Sequence, residues 1–582
     1  MKGNRTRWRF KEEPDTRSIE KLKNQFKMSE VTAFMLAQRG IIEKEDTYLF
    51  FNGSIKDLHD PFEMKDMNRA VERINKAIKN QEKILIYGDY DVDGVTAVTL
   101  MYSVLSNHTS SLLYYIPDRY KEGYGVSEKG ILFAEENECS LIITLDCGIK
   151  ANDKVELAHT KHIDVIICDH HTPGAELPNA IVLNPKRKDC TYPYKELSGC
   201  GVGFKLLQAL AQNNNWEKEE IYAHLDLLAI SIGADIVPLT GENRILAREG
   251  LKRINSNQYK RKGVQKIISL VNKSYPLTIS DVVFTIAPRI NAAGRLDDAK
   301  KAVELLLSTD ENHVKKRAEE IEKLNTLRKS LDAEITEEAL EKIEQDESYK
   351  NKCTTVVYKE DWHKGVIGIV ASRLIEKHYR PTIVLTLSED KKSWTGSARS
   401  IQDVNIFEIL EKCSSNIEQF GGHVAAAGLT VKTENLDQFI QDFDKEVRKV
   451  IDHESLIPEQ IIEKKLPLNQ LFTFHDSRSE VPRLVRELKN FEPHGPENMK
   501  PLFLAENVYA TSHQLIKDEH IKMSINHPGG THPINAIFFN AKDEYEIIQE
   551  GPFDVVYSLE ENTWNNRTTL QLMVRDVRRT IL

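Results

Sequence analysis

The sequence predicts an α/β protein with two α/β lobes that are joined by a long helix and followed by a small β-barrel. Three observations predict this fold class. Apolar runs of strand length alternate with amphipathic helical stretches between residues 60 and 240, and again between 351 and 452. Apolar residues recur every three or four positions from Val314 to Ile343. Short β-like runs separated by polar turns fill the last part of the chain.

The length of 582 residues predicts several domains, because single hydrophobic cores stop growing well below this size. No apolar run approaches the roughly 20 residues that span a bilayer, and the start of the chain has no signal-peptide core. We therefore expect a cytoplasmic protein with no membrane partner. We also expect a monomer. Changes of pattern divide the chain into residues 1–59, 60–240, 241–350, 351–452 and 453–582.

The charge and the cysteines narrow the class of protein. A net charge of −10 argues mildly against a protein that coats nucleic acid through bulk charge, although local basic grooves remain compatible with it. The seven cysteines are odd in number and include no C-x-x-C pair. Several lie inside apolar runs, so buried reduced thiols are favoured over disulfides or zinc ligands.

Three acids follow the first strong strand signal, the apolar run Lys83 to Ile86. Alternation along an extended backbone would turn Asp89, Asp91 and Asp93 toward one side, where a hard divalent cation would neutralise their repulsion. One alternative is a calcium-binding EF-hand loop, but Leu100 stands where that loop needs a glutamate. Acids in a solvated loop are the other alternative.

More acids follow later apolar segments. Asp146 comes directly after one strand-like run, and Asp169, His170 and His171 come after the next. Asp235 follows the apolar helical segment that ends near Ile232. Because the carboxyl ends of strands in a mainly parallel sheet meet at one edge, these side chains are expected to converge. Together they predict a binuclear metal centre, whereas a lone acid such as Asp146 would be structural about as often as not.

The ordered motifs resemble those of the DHH phosphoesterases, and the longer stretch from Gly88 to Gly94 is similar to that of the RecJ family of single-strand DNA exonucleases. The resemblance implies a DHH domain at 60–240, a connecting region at 241–350, a DHH-associated domain at 351–452 and an OB-fold at 453–582. It also implies catalytic roles for Asp169 and His171. Two Mn²⁺ or Mg²⁺ ions, bridged by Asp146, would be held by Asp89, Asp91, Asp93, Asp146, His170 and Asp235.

Two arginines of the first half are candidate phosphate ligands. Arg119 follows a strand-like run and could hold a phosphate through its planar fork, although an arginine in such a loop is usually a solvated surface group. The RecJ family carries a phosphate-contacting arginine in this loop, which favours the functional interpretation. Arg295 lies in a segment similar to one that approaches the active cleft in the family, with Arg289 and Asn291 as weaker candidates.

A second group of candidates lies in the DHH-associated domain. Ser397 and Arg399 stand one residue apart in a strand-like run, so both can point to one face. The resemblance assigns them to the 5′-terminal phosphate. Gly421 and Gly422 would let the backbone approach a ligand closely, and His423 would contact the next phosphate or base. The alternatives are a packed core histidine at 423 and ordinary turn glycines.

The resemblance implies a 5′ to 3′ exonuclease that releases 5′-mononucleotides from single-stranded DNA in recombination and repair. A helicase and a single-strand-binding protein are the expected partners. One alternative is a DHH hydrolase that cuts short oligonucleotides, cyclic dinucleotides or pyrophosphate. The other is a scaffold that binds single strands without catalysis.

Overall fold

The computed structural model describes residues 6–452, 454–472, 481–530, 532–564 and 567–580. Contacts divide the chain into two compact units. The first unit holds Asp15–Asn325 together with Leu488–Lys500. The second unit holds the described residues of Met1–Pro14, Thr326–Glu487 and Pro501–Leu582. Among the described residues, none of the helices is both long and apolar enough to cross a membrane.

The strands within the described residues form four sheets. They are β1 (Arg7–Phe10), β2 (Lys83–Gly88), β3 (Leu112–Tyr115), β4 (Cys139–Leu145), β5 (Asp164–Cys168), β6 (Ile181–Leu183), β7 (Thr355–Lys359), β8 (Thr382–Leu387), β9 (Ser393–Arg399), β10 (Gln419–Gly422), β11 (Ala426–Lys432), β12 (Glu459–Ile462), β13 (Lys464–Lys465), β14 (Phe503–Ile516), β15 (His520–Asn526), β16 (Ile534–Phe538), β17 (Phe553–Trp564) and β18 (Arg567–Arg579).

The helices of the described residues lie between these strands along the chain, and a five-residue π-helical turn occupies Val282–Ile286. They are α1 (Thr16–Phe26), α2 (Glu30–Gln38), α3 (Lys44–Asn52), α4 (Met67–Lys79), α5 (Val92–Leu105), α6 (Glu128–Glu136), α7 (Asn152–Thr160), α8 (Gly199–Asn214), α9 (Lys218–Tyr222), α10 (Leu225–Ala234), α11 (Gly241–Ile254), α12 (Lys262–Leu270), α13 (Ile279–Asp281), α14 (Ala287–Leu296), α15 (Lys300–Leu307), α16 (Glu311–Gln345), α17 (Ile367–His378), α18 (Ile406–Lys412), α19 (Leu436–Arg448), α20 (Arg483–Lys489) and α21 (Tyr545–Glu550).

The first unit is built on a five-stranded sheet of order β3-β2-β4-β5-β6, in which every pairing is parallel. Successive side chains of β2 enter opposite cores, because a strand presents alternate residues to its two faces. Ile84 and Ile86 pack in the core that contains α5, α8 and α10, whereas Leu85 and Tyr87 pack with α6 and α7. Burial on both faces explains why these strands read as continuous apolar runs. The predicted parallel sheet is confirmed.

The second unit contains the second α/β sheet, of order β10-β11-β9-β8-β7. Only β7 and β8 pair in parallel, and the other pairings are antiparallel. One face packs on α17 and the C-terminal part of α16, and the other packs on α18 and α19. The predicted long helix is confirmed as α16, whose 35 residues correspond to about 52 Å.

The C-terminal strands close into a small barrel, as the sequence predicts. Strands β14, β15, β16, β18 and β17 are paired in that order, and β17 returns to pair with β14. Strand β13 adds to β14, and the N-terminal strand β1 pairs in parallel with β12. The first strand of the chain therefore belongs to the same unit as its last strands.

Candidate metal centre

The first acidic motif forms a tight turn between β2 and α5. Asp91 is the N-cap of α5, and its Oδ1 accepts hydrogen bonds from the N–H groups of Asp93 (2.9 Å) and Gly94 (3.1 Å). A Cβ on Gly94 would lie 2.4 Å from the carbonyl oxygen of Asp89, so only glycine fits. The expectation of an extended backbone is wrong here, because the cap bends the chain into a helix. The EF-hand alternative is also wrong, since Leu100 is buried inside α5.

The acids predicted at other segment ends converge with this turn. Asp146 follows β4 with a φ of 62°, His170 follows β5, and Asp235 caps the C-terminus of α10. The Nε2 of His170 lies 3.2 Å from Asp146 Oδ1, 3.5 Å from Asp235 Oδ2 and 3.9 Å from Asp93 Oδ2. In the part of the chain that the structure describes, three groups have potential metal-ligand atoms within 4.8 Å of one another: Asp89, Asp91 and Asp146; Asp93, His170 and Asp235; and Asp146, His170 and His171.

The chemistry of these donors fits divalent cations. Within the described residues, no hydrogen bond reaches Oδ1 of Asp89 or Asp146, Oδ2 of Asp235, or either ring nitrogen of His170. Buried polar atoms are normally satisfied, because an unpaired one costs about 1–3 kcal/mol. Clustered carboxylates with one imidazole are a donor set that suits Mn²⁺ or Mg²⁺. The unsatisfied atoms are therefore best explained as ligands.

Burial and mutual repulsion raise the pKa of four of these carboxyl groups, those of Asp89, Asp91, Asp146 and Asp235. Burial also lowers the pKa of the His170 imidazole to about 4, which keeps a lone pair available at neutral pH. Such a cluster is unstable as a group of bare charges, since like charges this close disfavour ionisation. A bound cation would remove that penalty.

Asp169 differs from Asp89, Asp146 and Asp235, because both of its carboxylate oxygens accept hydrogen bonds. Its Oδ1 accepts hydrogen bonds from the N–H groups of His170 (2.7 Å) and His171 (3.0 Å), and its Oδ2 accepts from Ile149 N–H (2.9 Å). The same Oδ1 lies 2.7 Å from Nδ1 of His171. Burial alone would raise the pKa of Asp169, but the hydrogen bond and charge of His171 outweigh it and hold the pKa at about 2. Asp169 therefore fixes the ring of His171.

Asp93 rests on the N-terminus of α8. Its Oδ2 accepts a hydrogen bond from Gly199 N–H (2.6 Å), and its Oδ1 accepts from Cys200 N–H (2.8 Å) and from the Ser231 hydroxyl (2.6 Å). Helix N-termini favour anions because their first N–H groups have no partner in the helix. A Cβ on Gly199 would lie 2.5 Å from the Cβ of Asp146, so this helix start fits the site only with glycine.

The loop after β3 carries Arg119 and contacts Arg295, the two arginines predicted to bind phosphate. The Arg119 guanidinium lies over the Tyr90 ring at 4.8 Å from its centroid, and the Tyr120 hydroxyl donates to the carbonyl oxygen of Arg295. The hydroxyl of Tyr124 lies 3.0 Å from Nε2 of His171. The structure therefore brings Arg119 and Arg295 to the edge of the acidic cluster.

The weaker candidates near Arg295 lie in different environments. Arg289 is buried, and its guanidinium pairs with Glu322 of α16 (2.5 Å) and donates to the carbonyl oxygen of Thr285 (2.7 Å). Arg289 therefore connects α14 to α16 through an ion pair. Asn291 is half-buried on the opposite side of α14.

The second group of predicted residues is brought together within the second unit. The Arg399 guanidinium donates to the Ser397 hydroxyl (2.9 Å), and both side chains lie on one face of β9. Gly428 of β11 pairs with Ser397, and Gly421 of β10 pairs with Gly428. This register places Gly421 and Gly422 in the same sheet as Ser397 and Arg399, one strand away, with β11 between β10 and β9. The alternative of a packed core histidine is wrong, because His423 is exposed.

Models of three families match the chain. The DHH family, N-terminal domain, matches residues 83–232, the DHHA1 domain matches residues 350–449, and the RecJ OB domain matches residues 478–576. The single-stranded-DNA-specific exonuclease RecJ of Bacillus subtilis (strain 168) is 38% identical over 581 residues, which cover 99% of this chain and 71% of that protein. The chain belongs to the RecJ family.

Further relatives and solved structures agree with this assignment. The RecJ exonuclease of Escherichia coli (strain K12) is 32% identical over 93% of this chain and 95% of its own. The crystal structure of RecJ in complex with Mn²⁺ from Thermus thermophilus covers all of this chain and 80% of that one, with a TM-score of 0.84 and 26% identity. A structure of exonuclease RecJ bound to manganese covers 67% of this chain and 96% of that one, with a TM-score of 0.58 and 30% identity.

Sequence reasoning missed several residues that complete the site in this RecJ-family chain. Ser231, Gly199 and Cys200 support Asp93, and Tyr90 and Tyr124 line the edge of the cluster. A signal for the helix start was present in the run of small residues from Ser198 to Gly201. The tyrosines carried no such signal, because an aromatic residue in a loop is compatible with many roles.

Proposed function

We propose that this protein is a metal-dependent 5′ to 3′ exonuclease that is specific for single-stranded DNA, releases 5′-mononucleotides, and acts in recombination and repair. One observation carries the proposal: acids and histidines from four separate segments converge with buried, unsatisfied ligand atoms. The chain that carries them is 38% identical, over almost its whole length, to a single-stranded-DNA-specific exonuclease.

The proposed cofactors are two Mn²⁺ or Mg²⁺ ions, the metals named in the structures of the Thermus thermophilus relative. We assign Asp89, Asp91 and Asp146 to one ion and Asp93, Asp146, His170 and Asp235 to the other, with Asp146 shared. Such a pair, when bound, activates water and stabilises the charge of the leaving oxygen. The helix N-terminus under Asp93 and the cap formed by Asp91 hold their carboxylates in fixed orientations.

The remaining residues of the centre orient groups. Asp169 holds the ring of His171 through its Oδ1, and His171 in turn faces the Tyr124 hydroxyl. We assign this pair to positioning the scissile phosphate beside the ligand carboxylates. Its geometry depends on Asp169 remaining ionised, which the strong hydrogen bonds from His170, His171 and Ile149 favour.

We assign recognition of the 5′ end to the predicted phosphate ligands. A terminal phosphate carries more charge and more free oxygens than an internal phosphodiester, and the planar fork of arginine matches it. Arg119 and Arg295 serve this role in the first unit. In the second unit the role is assigned to Ser397 and Arg399 on one face of β9, and to Gly421, Gly422 and His423 of the hairpin that continues the same sheet.

The alternatives differ in what they need. A hydrolase of short oligonucleotides or cyclic dinucleotides needs no barrel, so the closed sheet of β14 to β18 favours a long strand. A non-catalytic scaffold has no need for a complete ligand set, and every predicted ligand acid is present here. Helicase and single-strand-binding-protein partners stay predictions that rest on the family resemblance. The monomeric state and the cytoplasmic location also stay predictions.

Cleavage of a 5′-phosphorylated, single-stranded 20-mer in Mn²⁺ tests the proposal. The wild-type protein should release mononucleotides from the 5′ end, and Asp146→Asn should abolish release while DNA binding persists. Asp153→Asn is the matched control, because this exposed acid of α7 lies outside the cluster. Cleavage only of strands of two to five nucleotides would favour the first alternative, and binding without cleavage would favour the scaffold.

A further inference from the structure

The segment from the π-helical turn through α14 crosses the edge of the metal centre. At one end, a Cβ on Gly294 would lie 2.4 Å from the carbonyl oxygen of Tyr90, which stands between Asp89 and Asp91. At the other end, a Cβ on Gly233 would lie 3.3 Å from Cγ2 of Val283. Gly233 precedes the ligand Asp235 by two residues. Each end of the segment therefore packs against a stretch of the protein that contains predicted metal ligands.

One stripe of this segment is left open. Phe284, Pro288, Asn291 and Arg295 are exposed or half-buried, whereas the residues between them include a fully buried set, Ile286, Ala287, Ile290 and Ala292–Gly294. The stripe begins at Arg295, one of the proposed phosphate ligands. It ends at Phe284, which is 76% exposed. At about 1.5 Å per residue the stripe is roughly 16 Å long.

A second exposed apolar side chain lies three residues after Gly233, the glycine that packs against Val283. Ile236 directly follows Asp235 and is 70% exposed. Its φ is 60°, a backbone conformation that β-branched residues adopt at a cost and that is concentrated at functional sites. Short π-helical turns, such as the one that carries Phe284, are also frequent at functional sites. We name Phe284 and Ile236 the apolar ledge.

We propose that the apolar ledge binds a base of the incoming single strand, with Phe284 as the stacking ring. This inference rests on the proposed function and adds a substrate-binding position to it. A nuclease that removes every kind of nucleotide needs contacts that accept any base, and aromatic stacking accepts any base because each has a π-face. With the 5′ phosphate at Arg295, a stripe of about 16 Å corresponds to at most about five stacked nucleotides at 3.4 Å each.

The ledge therefore predicts a dependence on strand length. A dinucleotide spans about 7 Å when stacked and is too short to reach from Arg295 to Phe284, whereas a 12-mer reaches it. Phe284→Ala should lower kcat/KM on a 5′-phosphorylated 12-mer at least about fivefold, the lower limit for loss of one base–aromatic stack. On the dinucleotide its kcat/KM should stay within twofold of wild type. Phe284→Trp should restore most of the loss.

Binding of the 12-mer in EDTA provides a measurement that does not depend on cleavage. Fluorescence anisotropy should show at least about fivefold weaker binding for Phe284→Ala and near wild-type binding for Phe284→Trp. The matched control is Tyr48→Ala, because Tyr48 is an aromatic residue of α3 in the same unit with 54% exposure. It should change neither quantity.

The outcomes separate the two proposals. Equal losses of kcat/KM on both lengths, or unchanged 12-mer cleavage and binding in Phe284→Ala, would overturn the ledge while leaving the exonuclease assignment intact. A wild-type protein that cuts neither substrate would overturn the proposed function. In that case the binding measurement alone decides the ledge: weaker binding by Phe284→Ala supports it, and unchanged binding overturns it.

Discussion

At the scale of single residues, the cluster depends on side chains that are not themselves ligands. Ser231 is fully buried on α10, and its hydroxyl lies 2.6 Å from Oδ1 of Asp93 and 2.7 Å from the Ser198 hydroxyl. A hydrogen bond to a ligating carboxylate fixes its orientation and tunes its affinity for metal. Ser231 is therefore expected to affect metal binding more than folding.

Ser231→Ala should raise the Mn²⁺ concentration needed for half-maximal cleavage by about 10- to 100-fold, the usual effect of removing such a partner. Asp93 would keep its two backbone N–H donors, so the fold should persist. A Mn²⁺ titration of the cleavage rate measures this, with circular dichroism to monitor folding. Ser106→Ala is the control, because the Ser106 hydroxyl donates only to a backbone carbonyl at the exposed end of α5. An unchanged Mn²⁺ dependence in Ser231→Ala would contradict the expectation.

Arg399→Ala should lower kcat/KM on 5′-phosphorylated strands at least about tenfold, since hydrogen bonds to charged groups are worth about 1.5–3 kcal/mol. The loss should be smaller on strands with a 5′ hydroxyl, which lack the terminal charge. Lys432→Ala, at an exposed position of β11, controls for loss of positive charge in the same sheet. Equal losses on both kinds of strand, or a matching drop in melting temperature, would argue against a phosphate ligand.

At the scale of elements, the sequence could predict the parallel sheet and the edge at which its acids meet. Runs such as Leu141 to Leu145 identify buried parallel strands, and acids after them must lie at one edge. The helix start under Asp93 could not be predicted in the same way. Gly199 is 106 residues from Asp93, and only the packing of α5 against α8 brings them together.

The conformation of the turn after β2 could not be predicted from the sequence either, although the residues involved are close together in the chain. The spacing of Asp89, Asp91 and Asp93 suits an extended strand, but it also suits a helix cap. Asp91 caps α5 because its carboxylate reaches the N–H groups of Asp93 and Gly94. Two local hydrogen bonds therefore override the alternation that the spacing suggests.

The close approach of α8 to Asp146 is testable with two glycines of one helix. Gly199→Ala places a methyl group 2.5 Å from the Asp146 Cβ and 2.6 Å from its Oδ1, so Asp146 must move. Cleavage should fall at least about 100-fold, since displacements near 1 Å cost this much. Gly201→Ala meets only ordinary contacts at 3.4 Å and should keep activity within about twofold, with a helix-propensity gain of up to about 1 kcal/mol. Equal activity of the two variants would contradict this geometry.

At the scale of the whole molecule, strand β1 contacts residues of β12 and β18 within the second unit. Strand β1 pairs with β12, and the Trp8 indole N–H donates to Oδ2 of Asp576 (2.7 Å). The Arg578 guanidinium lies over the same ring, 4.0 Å from its centroid. Trp8 also packs beside Ile462, Leu504 and Val556. Strand β1 therefore stabilises the C-terminal barrel of β14 to β18.

Trp8→Ala should destabilise the second unit by about 1–3 kcal/mol, because it removes a partly buried ring and its hydrogen bond. Urea unfolding followed by a signal from the barrel measures the change. Phe10→Ala is the control, since Phe10 lies on the same strand but is exposed. Equal stability of Trp8→Ala and the wild type would show that β1 adds nothing to the barrel.

Positions of Mn²⁺ ions in crystals of the wild-type protein test the central claim most directly. We expect two anomalous-scattering peaks about 3.5–4 Å apart, with Asp146 between them and the remaining ligands at Asp89, Asp91, Asp93, His170 and Asp235. Peaks remote from these side chains, or no peak at saturating Mn²⁺, would contradict the account.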